Sequence, residues 1–184
     1  MKKVLFNGLL YSKFGAGISN YAKNLVDNMI DKDNITFMLS KEVEDKYKDY
    51  KNIKIINGIN SSKNRIMYEQ IKALNIYKEN DIVHFPDYAT PIFSKSKKVA
   101  TIHDMAFFTV QECYTKGQVA TKKLLLDKTV KNADKLICIS KFTYNELKNY
   151  YPNLDDDKVE IIYNGFNRSL RKYNNISLSK FKID

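Results

Sequence analysis

The sequence predicts an α/β fold built on a mostly parallel sheet of about seven strands, with helices on both faces. Short apolar runs rich in Ile, Val and Phe alternate along the chain with segments of helical periodicity. Parallel neighbours need crossovers of that kind, and the crossovers cover both faces of the sheet. The 184 residues, 43% hydrophobic and 28% charged, suit one domain with its own core better than a disordered chain or two full domains.

Residues 3–7 form the first strand, an apolar run stopped by Asn7 and Gly8. After a glycine-containing loop, Ile18, Tyr21, Leu25, Val26, Met29 and Ile30 recur at three- and four-residue spacing. That spacing marks an amphipathic helix, with Lys23, Asn24 and Asp27 on another face. Residues 35–39 read as a strand, 42–50 as a mixed-charge helix and 53–56 as a strand. Asn57-Gly58 and Ser61-Ser62 then punctuate the chain before a helix over 64–77, expected to turn Met67, Ile71 and Leu74 inward. Strands follow at 81–85, 99–103, 135–139 and 159–163, and helices over 118–132 and 141–150 separate the last three. Residues 1–166 thus read as one domain and 167–184 as a polar linker or tail with little periodicity.

Three prolines and six glycines exclude collagen-like and proline-rich chains. No apolar stretch approaches the roughly 18 residues of a membrane-spanning helix. The opening residues are basic, but their apolar run is far too short for a signal-peptide core, so a cytoplasmic location is expected. Cys113 and Cys138 make no disulfide framework and are expected to be reduced thiols. No close cluster of Cys, His or carboxylates has metal-ligand spacing, so neither a metal nor a cofactor is expected. Asn-x-Ser/Thr matches at Asn34, Asn60, Asn167 and Asn175 are chance products of an Asn-rich chain.

The net charge of +10 favours phosphates, nucleic acid or anionic lipid as partners, or reflects a bias towards Lys, Asn and Ile throughout. The lysines are scattered and no nucleic-acid-binding module is recognisable, so no nucleic acid partner is expected. On the 118–132 helix, Val119, Leu126, Val130 and Ala133 are expected to pack on the sheet. Lys122, Lys123, Lys128 and Lys131 stand beside Leu124 and Leu125, both expected to be exposed. That surface reads either as a solvated face or as a peripheral contact with an anionic membrane.

Ligands of open parallel sheets bind beyond the carboxyl ends of the strands. Several unusual residues fall there: Gly15-Ala16-Gly17 after strand 1, His84 and Asp87 after strand 4, His103-Asp104 after strand 5, Ser140-Lys141 after strand 6 and Asn164-Gly165 after strand 7. If the strand order is 3-2-1-4-5-6-7, the loops after strands 1, 4 and 5 are neighbours and would line one crevice. Glycines let backbone N–H groups approach an anion while the following helix adds the positive end of its dipole. The same glycines also suit a plain tight turn. A dinucleotide fingerprint is not matched, because Asn20 stands at the third glycine position and Ser40-Lys41 stands where an acid would end strand 2.

A neutral histidine at a strand end can accept a proton or hydrogen-bond a sugar hydroxyl. His103 is the functional candidate, and Asp104 is its support, capping a turn or the next helix. Ser140 reads as a helix N-cap, and Lys141 as charge at the crevice. Tyr21, Met29 and Met67 read as core, whereas Tyr88, Phe107 and Phe108 lie in loops as a candidate acceptor-binding wall.

The order and spacing of five segments carry a resemblance: Gly15-Ala16-Gly17-Ile18-Ser19-Asn20-Tyr21, Asp81-Ile82-Val83-His84-Phe85-Pro86, Val99-Ala100-Thr101-Ile102-His103-Asp104, residues 133–140, and residues 159–165. Over about residues 1–168 the chain resembles the N-terminal, acceptor-side half of a family 4 glycosyltransferase with the two-Rossmann-domain (GT-B) fold. The resemblance implies a Rossmann-like domain of a retaining transferase that moves a sugar from a nucleoside diphosphate sugar to a glycan or lipid-linked acceptor. It puts His103 at the reacting centre as the catalytic residue. Gly15, Ala16 and Gly17 fall at the donor diphosphate, and Asn164 and Gly165 at the interdomain hinge. His84, Asp87, Tyr88, Asp104, Ser140 and Lys141 fall to the acceptor side or the crevice.

Two departures stand against the family pattern. Ala16 replaces a common second glycine, and no two glutamates stand at the Glu-x7-Glu spacing with which relatives grip most of the donor. A C-terminal donor-binding domain is therefore expected to be missing and supplied in cis or in trans, leaving this chain alone inactive. The alternative is a non-catalytic Rossmann-like module binding nucleotides or anionic surfaces, or one subunit of a split transferase.

Overall fold

A computed structural model describes residues 1–165. The tail expected over 167–184 lies outside the described residues. The elements are β1 (Val4–Asn7), α1 (Ile18–Met29), β2 (Ile35–Ser40), α2 (Glu44–Tyr47), β3 (Ile53–Ile56), α3 (Ser62–Met67), α4 (Leu74–Lys78), β4 (Ile82–Phe85), β5 (Lys97–Ile102), α5 (Ala106–Thr109), α6 (Lys116–Asn132), β6 (Lys135–Cys138), α7 (Lys141–Tyr150) and β7 (Val159–Ile161). The seven strands form one sheet in the order β3-β2-β1-β4-β5-β6-β7, and every pairing is parallel. This is the expected α/β, Rossmann-like architecture, and the strand order is the one under which the loops after strands 1, 4 and 5 are neighbours. The chain reverses direction of travel across the sheet between β3 and β4, so the carboxyl ends of β1 and β4 are neighbours at the switch point.

Alternation along the strands builds two faces. Leu5, Met38 and Val83 turn to one side, where Ala73 and Tyr77 cover them. Phe6, Phe37 and Leu39 turn to the other and meet Ala22 and Val26 of α1. A third cluster joins Ala100, Ile102, Leu136 and Cys138 of β5 and β6 to Leu126 and Val130 of α6 and Leu147 of α7. Each fully buried Leu or Phe here contributes about 1.5–3 kcal/mol over exposure. Burial in this cluster pushes the Cys138 thiol up to about 12, and both cysteines are free.

Two long helices start as their sequences direct. Thr115 and Gln118 form a reciprocal capping box at the start of α6, and the Ser140 hydroxyl accepts from the Thr143 N–H at the start of α7. Elsewhere the helices depart from expectation. The mixed-charge helix over 42–50 is a single 3₁₀ turn, Lys41–Val43, followed by the short α2.

The helix expected over 64–77 is α3, a wide π turn at Tyr68–Lys72, and α4. Its inward face carries Arg65, Glu69, Ala73 and Tyr77, while Met67 and Ile71 are 56% and 65% exposed and Leu74 is half-buried. An apolar count along the sequence chose the wrong stripe because a paired Arg and Glu occupy the buried one. Leu125 of α6 is likewise buried, and Leu124 alone of that pair is exposed. Among the described residues, no helix is long and apolar enough to cross a membrane.

Candidate active site

His103 follows the last residue of β5 and lies half-buried at the carboxyl edge of the sheet. Its Nε2 stands 2.9 Å from the Pro86 carbonyl oxygen. A carbonyl only accepts, so Nε2 carries a proton, and in the neutral tautomer with that proton Nδ1 keeps its lone pair. The His103 main-chain oxygen accepts from the Thr143 hydroxyl at 3.0 Å, tying the residue to α7 as well. The Tyr21 ring meets the imidazole edge-on, with ring centres 4.8 Å apart.

Tyr21 reads from its spacing as a core residue, and the structure gives it more to do. It stands one turn into α1, so its contact sets the start of α1 against His103. Its hydroxyl bonds the Thr101 hydroxyl at 3.2 Å, and the same hydroxyl bonds His84 Nε2 at 3.1 Å. His84 lies inside β4, one residue short of the strand end, with its ring edge-on to Phe6 at 5.2 Å. Burial lowers its pKa to about 4, so it is neutral at ordinary pH.

Gly15, Ala16 and Gly17 form the turn into α1. A Cβ at Gly15 would stand 2.2 Å from Ser19 Oγ, so the loop closes on a side chain that itself bonds Ser12. Gly17, at φ 53° and ψ −112°, occupies backbone space that L side chains rarely enter. Among the described residues no side chain caps α1, whereas Ser61, Thr115 and Ser140 cap α3, α6 and α7. Of the first N–H groups of α1, that of Ser19 bonds the Ala16 oxygen at 3.1 Å, and among the described residues none has a side-chain acceptor.

The loop after β4 carries Asp87 and Tyr88. Asp87 is buried; its Oδ1 accepts from the Tyr88 N–H at 2.7 Å, and Oδ2 lies 3.9 Å from Arg65. Burial pushes its carboxyl up from the ordinary range, and Arg65 opposes the shift. Tyr88 accepts from Lys122 Nζ at 3.0 Å, and burial, with Asp87 and Asp104 nearby, pushes its phenol up. Asp104 is exposed and accepts from the Ala106 N–H at 2.9 Å, the expected turn cap. Lys141 is exposed and sits over the Tyr144 ring at 4.3 Å. Asn164 and Gly165 are exposed beyond β7.

The proposed aromatic wall is only partly at the surface. Phe107 is 1% exposed and belongs to the core, leaving Tyr88 and Phe108 half-buried. Lys122 and Lys123 also fold back over aromatic rings, Lys123 lying 4.7 Å from the centre of Phe108. The free basic face of α6 is thinner than its sequence suggests.

The residues that composition and spacing did not single out are Asn7, Arg65 and Glu69. Both Glu69 oxygens accept from Arg65 Nη1, at 3.1 and 2.8 Å, and Oε1 also accepts from Asn7 Nδ2 at 2.9 Å. All three side chains are buried beneath the end of β1. The four-residue spacing of Arg65 and Glu69 was a legible signal for a helical ion pair, though not for its burial.

No curated protein matches this chain. A family model described as Glycosyltransferase Family 4 matches residues 15–170, a span that opens on the turn into α1 and runs through β7. A seven-stranded parallel sheet with helices on both faces fits that match, and the chain belongs to glycosyltransferase family 4.

Proposed function

We propose that this chain is the acceptor-side half of a retaining glycosyltransferase that moves a sugar from a nucleoside diphosphate sugar to a glycan or lipid-linked acceptor. The contact of Tyr21 with His103 supports this reading most, because it sets the start of α1, which no side chain among the described residues caps, against the imidazole ring of His103. A diphosphate at the 15–17 turn meets backbone N–H groups and the positive end of the α1 dipole, so the departing charge is stabilised without reorganisation. The sugar then lies towards β5, where His103 Nδ1 accepts a hydrogen bond or a proton from a hydroxyl at the reacting centre. Tyr88 and Asp104 line the acceptor side, Asp87 holds the Tyr88 N–H from its buried position, and Ser140 and Lys141 lie further along the edge. Asn164 and Gly165 lead to the donor-binding domain, in cis or in trans. The reading invokes no metal and no cofactor.

The test is His103→Ala in the complete transferase, with kcat and the thermal midpoint measured beside the parent. A loss of about a hundredfold or more at an unchanged midpoint is expected, since the bond is made mainly in the transition state. Turnover within about threefold of the parent rejects the assignment.

A further inference from the structure

The buried ion cluster beneath β1 and β4 has no part in the chemistry above, yet it ends at the histidine that does. Asn7, the last residue of β1, bonds Glu69; Glu69 holds Arg65 with both oxygens; Arg65 turns Nη2 towards Asp87. Asp87 caps the Tyr88 N–H, and the carbonyl just before it, Pro86 O, is the partner of His103 Nε2. The same loop is pinned from two further sides. The Thr129 hydroxyl of α6 donates to the Tyr88 oxygen, and Gln70 bonds both the Thr90 oxygen and the Ile92 N–H.

Two buried carboxylates share one guanidinium here, an arrangement that well-packed hydrophobic residues of similar volume often match in stability. Its burial is unexplained by stability and well explained by position. Resting on the proposed role of His103, we infer that Arg65 and Asp87 are positioning residues: they fix the 86–88 turn so that Pro86 O locks the His103 proton on Nε2 and aims Nδ1 at the sugar. Neither touches the substrate, and Glu69 and Asn7 orient Arg65. An imidazole freed from Pro86 would lose a fixed tautomer and a fixed direction, and a misplacement of about 1 Å costs up to a hundredfold in rate.

The experiment is a double-mutant cycle in the complete transferase with Asp87→Ala, His103→Ala and the pair, read as kcat, KM and thermal midpoint. Asp87→Ala is expected to lower kcat about tenfold in the parent with KM within twofold, and less than twofold in the His103→Ala background, because it acts through that ring. Should Asp87→Ala fail to fold, Asp87→Asn, which keeps the Tyr88 cap and gives up the charge pair, replaces it with an expected loss of about threefold. An equal loss in both backgrounds overturns the inference and leaves the role of His103 standing.

If His103→Ala itself retains activity, the function reading fails instead, and a second arm decides the positioning claim. In ¹H–¹⁵N spectra of the chain, the His103 Nε2 proton is expected to be visible, held by Pro86, and to vanish by solvent exchange in Asp87→Ala. A signal that persists in the variant overturns the inference.

Discussion

His84 and His103 are the two histidines of the chain, and their surroundings separate them. His84 has its Nε2 spent on Thr101 and its ring packed on Phe6, so its environment selects the neutral form. Folding keeps it unprotonated down to about pH 4, while the unfolded chain takes the proton near 6.5. The unfolded state therefore binds more protons between those values, and stability falls as pH drops through that window. His84→Gln, which carries no titrating ring, is expected to lose about 2 kcal/mol less than the parent between about pH 7.5 and pH 5. Urea unfolding at the two pH values measures this, and parallel losses in parent and variant would mean that His84 is not held neutral.

The turn into α1 shows why an element's start is decided by small residues. Gly15 faces Ser19, whose hydroxyl accepts from the Ser12 N–H at 3.0 Å and donates to the Ser12 oxygen at 3.3 Å. A methyl at Gly15 would collide with both heavy atoms of that side chain, at 2.2 and 2.3 Å. Gly15→Ala is expected to destabilise by about 1–3 kcal/mol through overpacking, with Ser19→Gly recovering part of the loss. Denaturant midpoints at constant slope read it out. A neutral Gly15→Ala would show that the turn relaxes freely.

At the scale of the whole molecule, one sheet edge gathers the α1 turn, His103 and the 86–88 loop, while the described residues leave the sheet's far edges, β3 and β7, remote from it. On the proposed division of labour this half grips little of the donor, because the sequence lacks the paired glutamates at eight-residue spacing. Calorimetric titration of the chain alone with a nucleoside diphosphate sugar is expected to give weak binding. Micromolar affinity would place the donor site in this half and overturn the division.

The sequence by itself determined the alternation of strands and helices, the capped start of α7, and the strand-end placing of Gly15, Gly17 and His103. These are local matters: periodicity, caps and turn residues act over a few positions. The tertiary structure alone decided which polar groups are buried. The spacing of Arg65 and Glu69 does not show their burial, which Asn7, 62 residues before Glu69, helps to satisfy from the end of β1. Thr101 looks like any strand threonine until the fold brings Tyr21 and His84 to its hydroxyl from 80 and 17 residues away. Phe107 and Leu125 turned inward for the same reason. Burying a charge or exposing a methionine is settled by whether a partner arrives from a distant strand, and no window of sequence contains that partner.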